Sequence, residues 1–262
     1  MEIVSDNVND IKNLASQISQ EDDIKTRMPA DPSVELPGGF LKDDGALVKY
    51  ATVRELTGRD EEAIARLSNR NQMLNLILER GLEKLGEAEP SSFDLDSMLA
   101  GDRDAIILAI RKVTFGPTVE SVVTCPKCLE RSDVSIDLDK DIEIRELQDP
   151  LNDRTFEVDL RAGKAKVTLP IGALQKQLAD NSGKNSAELL SVFLGGCLVS
   201  IDGEPCIGTY SATNLGILDR ETLFNEIAKR NPGPRLEAVM KACAACGEEI
   251  YLPFSLADLF RL

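Results

Sequence analysis

Two C-x-x-C pairs, Cys125/Cys128 and Cys243/Cys246, constrain this chain more than any other feature, because four sulfurs that meet at one metal ion fix two distant stretches to each other. The knuckles read VVTCPKCLERSDVSI and MKACAACGEEIYLPF, each an apolar lead-in, a cysteine pair and an apolar strand. That is the form of a zinc ribbon, with Pro126 and Gly247 suited to its tight turns. A compact ribbon separates its pairs by about 15–20 residues, whereas here residues 129–242, 114 in all, intervene. The spacing therefore predicts a long β/α insertion whose ends are tied by one zinc per chain, held by Cys125, Cys128, Cys243 and Cys246. Four thiolates complete a tetrahedron and leave no position for water, so the expected metal is structural.

Independent redox pairs, buried free thiols and an iron–sulfur cluster with the same ligands are the competing readings. A redox pair wants its thiolate at the start of a helix, and Cys125 is followed by β-like sequence. Cys197 and Cys206 lie in apolar runs without a partner at ligand spacing and read as small core residues. The chain contains no histidine, which removes the side chain most used for proton transfer near neutral pH. It also lacks the G-x-S-x-G and GxxxxGK[ST] motifs of nucleophile and phosphate sites. These features point away from an enzyme.

Lys and Arg total 30 against 45 Asp and Glu, a net charge of −15. A field of that sign repels phosphate backbones and anionic headgroups, so neither nucleic acid nor membrane is an expected partner. No apolar run approaches the roughly 18–20 residues that span a bilayer, and the first residues have no leader pattern, so a cytoplasmic location is expected.

Patterning divides the chain into four parts and predicts an α+β fold. Residues 1–35 read as a mobile acidic arm, and 36–116 as a hairpin plus a helical module. Residues 117–140 and 241–262 form the zinc-ribbon-like β region, and 141–240 the inserted β/α segment. Asp44-Gly45 favours a hairpin turn. Thr57 or Asp60 is placed to cap one helix. Met73, Leu74, Ile77, Leu78, Leu82 and Leu85 recur at helical spacing up to a stop at Gly86. A third helix is expected over 102–113. In the insertion, TFEVDL and AKVTLP pair as strands, LVSIDGEPCI turns at Asp202-Gly203, and helices over 186–197 and 219–230 bury Leu189, Leu190, Phe193 and Leu194, and Leu223, Phe224 and Ile227. Near the C-terminus Ser255 and Asp258 suit the capping of a short turn bearing Leu256, Leu259 and Phe260. Those three side chains either dock on their own domain or offer a partner-binding surface.

Two stretches, LPGGFLKDDGALVKYATVRELTGRDEEAIAR at 36–66 and GDRDAIILAIRKVTFGPTVESVVTCPKC at 101–128, resemble the T-even-type phage baseplate hub assembly chaperone family. The resemblance covers residues 36–138 and the second C-x-x-C. It implies a role in building the tail baseplate of a contractile phage or related injection system, as a transient chaperone or a retained minor component. The implied partners are baseplate hub or wedge proteins, and the implied location is the cytoplasm during assembly or the finished particle. The family brings no catalytic residues with it.

Overall fold

A computed structural model describes residues 31–236, 239–252 and 255–260. Most of the acidic arm expected at 1–35 lies outside the described residues, but its last part does not belong to an arm. Strand β1 (Ser33–Leu41) already begins there and pairs antiparallel with β2 (Leu47–Val53). The turn between them falls where the Asp-Gly pair places it: Gly45 takes φ +83°, and its N–H donates to the Lys42 carbonyl.

Helix α1 (Gly58–Ile64) starts at Thr57, whose N–H and hydroxyl both donate to the Asp60 carboxylate. Helix α2 (Arg70–Gly81) is capped by the Asn69 side chain, which accepts from the N–H groups of Asn71 and Gln72. The leucine repeat predicts that this helix runs on to Leu85. Instead, Leu82–Leu85 is a strand, β3, paired with β2. The repeat misleads because Leu82 and Leu85, an i, i+3 pair that would share one face of a helix, are both buried in the strand too, where the register shift opposite Thr52 and Val53 breaks the usual alternation of faces. Packing decides it: a Cβ at Gly81 would stand 2.5 Å from Ile110 Cδ1, so the helix ends on a glycine pressed against its neighbour.

A short helix that the pattern does not announce, α3 (Ser92–Ser97), is closed by a Ser91/Asp94 capping box. It leads into α4 (Ala100–Phe115), longer at both ends than the 102–113 expected. Every residue of α4 from Ala100 to Arg111 except Asp104 is buried, as suits a helix apolar on nearly all sides. The β1–β2–β3 sheet, α2 and the later ribbon strands pack around it as one hydrophobic core.

Strands β4 (Thr118–Thr124) and β5 (Arg131–Asp137) pair in seven consecutive steps from Thr118/Asp137 to Thr124/Arg131. Beyond them comes the two-residue strand β6 (Ile144–Arg145). The insertion then builds a second core. Its sheet holds β7 (Thr155–Leu160), β8 (Gly163–Thr168), β9 (Leu198–Ile201) and β10 (Glu204–Pro205), in the order β10–β9–β8–β7. Helices α5 (Gly172–Asp180), α6 (Ser186–Cys197), α7 (Gly208–Asn214) and α8 (Ile217–Arg230) accompany it. Ala165, Val167, Leu194, Cys197 and Ala212 are its innermost residues, each 0% exposed.

The two expected insertion helices are present, but their buried faces differ from expectation. In α6 the buried residues are Ser191, Val192, Leu194 and Cys197, with Leu189, Leu190 and Phe193 only partly covered. In α8, Leu223 and Ile227 are buried, while Phe224 is 44% exposed. Cys197 is a core residue as read, and Cys206 is partly buried beside the same core.

The insertion returns through β11 (Gly233–Pro234), which pairs antiparallel with β6. This neck closes the inserted segment before the ribbon resumes with β12 (Met240–Ala242) and β13 (Glu249–Tyr251). A 3-10 turn, Leu256–Leu259, ends the described chain, with Ser255 N–H and hydroxyl both donating to Asp258.

Candidate metal centre

Each cysteine pair sits at the tip of a hairpin. In the first, β4 and β5 hand over to a knuckle in which the Cys125 N–H donates to Glu130 O at 2.9 Å and the Leu129 N–H donates to Cys125 O at 3.0 Å. The second, between β12 and β13, repeats it: the Cys243 N–H donates to Glu248 O at 2.7 Å and the Gly247 N–H to Cys243 O at 2.9 Å. The residue after the second cysteine has positive φ in both, 61° at Leu129 and 73° at Gly247. Glycine adopts that conformation freely; the leucine, 76% exposed, holds it at a cost of about 1 kcal/mol. The turn is therefore set by the knuckle itself and not by its local sequence preference.

The two tips meet. Cys125 Sγ lies 3.6 Å from Cys246 Sγ, Cys128 Sγ lies 3.7 Å from Cys243 Sγ, and all four sulfurs fall within 4.8 Å of one another. A tetrahedron with Zn–S of about 2.3 Å has edges of about 3.8 Å, close to the two shortest sulfur separations, so the four thiols are gathered at a spacing that can close around a single ion. All six cysteines are free thiols. Cys125 and Cys243 are buried at the base of the cluster, while Cys128 and Cys246 are exposed. Lys127 and Glu248 join the knuckles across the top at 2.6 Å, an exposed pair that contributes little by itself.

The sulfurs also form a proton-linked set. The Cys125 thiol is drawn down to about 7, led by the Cys128 N–H that points at its sulfur. The Glu130 N–H lowers the Cys128 thiol, but hydrogen bonds with the other three sulfurs, together with partial loss of water around it, outweigh that and push it up to about 12. One negative charge forms easily and suppresses the next, as in any tight cluster of acids. A divalent cation at the centre reverses that penalty and lets all four deprotonate.

Below the knuckles the ribbon is joined to the central helix. Arg111, buried in α4, donates to the carbonyls of Leu259 at 2.6 Å, Gly116 at 2.8 Å and Thr118 at 3.3 Å, and lies 4.9 Å over the Phe115 ring. Phe115 and Phe260 meet edge to face at 6.3 Å. These contacts settle where the apolar end of the chain goes. Leu256, Leu259 and Phe260, singled out as a partner-binding surface, are 8%, 2% and 4% exposed and belong to the central core. What the sequence does not reveal is Arg111, whose position in an apolar helix carries no sign that it receives carbonyls from two later segments.

The fold and the four sulfurs define a class: an α+β protein carrying a ribbon-like cluster of four cysteines that can hold a metal ion. Within that class the chain belongs to the T4 bacteriophage base plate protein family, whose model matches residues 41–261. The match takes in the insertion, the whole of the stretch at 101–128 and all of the stretch at 36–66 from residue 41 on. No curated protein and no solved structure is significantly similar to the chain. Among the described residues no helix is long and apolar enough to cross a membrane.

Proposed function

We propose that this chain is a non-catalytic assembly protein of a contractile-tail baseplate, working at the hub either as a chaperone or as a minor structural component, with zinc as its structural staple. The family match over residues 41–261 carries the reading. The staple is supported by four thiols gathered within 4.8 Å of one another, two of them buried, on hairpin tips from either side of the insertion. Cys125, Cys128, Cys243 and Cys246 would be the ligands. When bound, the ion supplies cross-linking charge and leaves no open position for a substrate. The chain's own residues supply the rest: Arg111 pins the C-terminal turn, and the β6–β11 neck fixes the insertion.

A permanent subunit and a transient chaperone share this architecture and differ in where the chain is found. Immunoblotting of hub intermediates and of finished particles separates them. The chain in hub intermediates only marks a chaperone, and the chain at fixed stoichiometry in finished particles marks a retained subunit. Absence from both overturns the baseplate role.

A further inference from the structure

The insertion leaves a large apolar surface uncovered. An open groove of about 980 Å³ runs between three of its helices, lined by Leu178 of α5, Leu189, Leu190 and Phe193 of α6, and Ile217 and Phe224 of α8. The rings of Phe193 and Phe224 meet edge to face at 5.7 Å and form its floor. Ile217 is 86% exposed and Phe224 is 44% exposed. Two bulky side chains left in water side by side on a chain this acidic mark an interaction surface.

The polar groups around the groove indicate what fits it. Arg220, the cation in its wall, turns its guanidinium inward and donates to Ala187 O and Ser191 Oγ, both at 2.8 Å. Glu221 in the wall and Asp180 and Glu188 on the flanking helices are exposed carboxylates; the exposed cations nearby are Lys184 on the connecting loop and Arg70, next to the lining residue Asn71 and already paired with Asp258. The whole chain adds a field of −15. A second copy would bring the same charge to the same face and be repelled; a cationic segment would be drawn in.

We propose that this groove docks a basic amphipathic helix of another protein, its apolar stripe laid on Phe193 and Phe224 and its lysine or arginine residues over Asp180, Glu188 and Glu221. This is the helix-in-groove mode, in which apolar side chains at i, i+3 or i+4 and i+7 give affinity and the flanking charges give register and rate. The inference rests on the groove alone and requires neither the baseplate role nor the metal.

Fluorescence anisotropy on the full chain tests it with three synthetic peptides: a Leu/Lys amphipathic helix, a Leu/Glu helix with the same apolar stripe, and a Leu/Lys peptide with the stripe scrambled. The Leu/Lys helix binds with a Kd on the order of micromolar, and Ile217→Asp weakens it about tenfold or more, a change made at an exposed site that leaves folding intact. Phe93→Asp, a change at another exposed bulky site, in α3 and outside the groove, leaves binding as it was. The Leu/Glu and scrambled peptides bind at least about tenfold more weakly than the Leu/Lys helix. No binding by any peptide, equal binding of the Leu/Glu helix, or binding indifferent to Ile217→Asp overturns the proposal. A dimer in sedimentation that Ile217→Asp dissolves also overturns it and assigns the groove to a second copy.

Discussion

The ribbon and the insertion occupy the same chain and hold themselves together by different means. In the ribbon, β12 and β13 are three residues each, and their outward faces, at Met240 and Tyr251, are more than half exposed. Two such strands bury too little apolar surface to stay folded alone. The insertion has a four-stranded sheet, four helices and a core whose innermost side chains are wholly covered. It satisfies the usual requirement of a sheet packed against helices. The difference teaches where a metal would be worth having: in the part whose strands are shortest, and between tips brought together from either side of a long excursion.

The joint between the two regions is the most sensitive place to break this arrangement. At the start of α4, Gly101 faces the return strand so closely that a Cβ there would lie 1.8 Å from Pro232 O. Backbone on both sides leaves no flexible neighbour to give way. Gly101→Ala is expected to cost more than about 3 kcal/mol, measured by denaturant midpoint, and to separate one unfolding transition into two as the insertion detaches from the central core. A loss below about 0.5 kcal/mol would show that the joint is soft.

A smaller effect sharpens the same comparison through pH. Asp102 is wholly buried next to Gly101; its Oδ1 accepts the Gly38 N–H at 2.6 Å and its Oδ2 has no partner. Burial pushes its carboxyl up to about 6, against the Gly38 N–H, which favours the charged form. With a folded value above the ordinary 3.8, the folded chain holds this proton more tightly than the unfolded one. Stability from this group is therefore full below pH about 4, falls as pH rises from about 4 to about 6 and is flat above, a change of roughly 2–3 kcal/mol. Asp102→Asn keeps the acceptor and removes the titration. The stability difference between variant and parent should grow in favour of the variant across that window; a difference independent of pH would refute the assignment.

Much of this was readable from residues whose local preference and final environment agree. Asp44-Gly45 makes the turn its dipeptide favours, Thr57 caps the helix it precedes, and the two knuckles announce each other by their common form. The misreadings come from residues that fit two structures equally well. Leu82 and Leu85 satisfy a helix or a strand, and only Ile110 against Gly81 decides. Phe224 has the spacing of a core residue, and no local signal shows that its helix keeps one face uncovered. Helices α3 and α7, at six and seven residues, are too short for a period to show. The neck between β6 and β11 is two residues on each side, one of them a proline, and has no strand signature at all. The meeting of the four cysteines was legible; the exposure of Cys128 and Cys246 was not, because it depends on how the tips abut.

Hydrogen exchange on the metal-loaded chain, before and after removal of the ion by a chelator and with metal content measured in parallel, tests the central claim most directly. About one zinc per chain is expected. On its removal, amides of β4, β5, β12 and β13 lose protection, while those of α6 and α8 keep theirs, since a structural zinc site contributes on the order of 10 kcal/mol to the segments it joins and nothing to a separate core. A chain that carries no metal, or ribbon and insertion losing protection together, would contradict it.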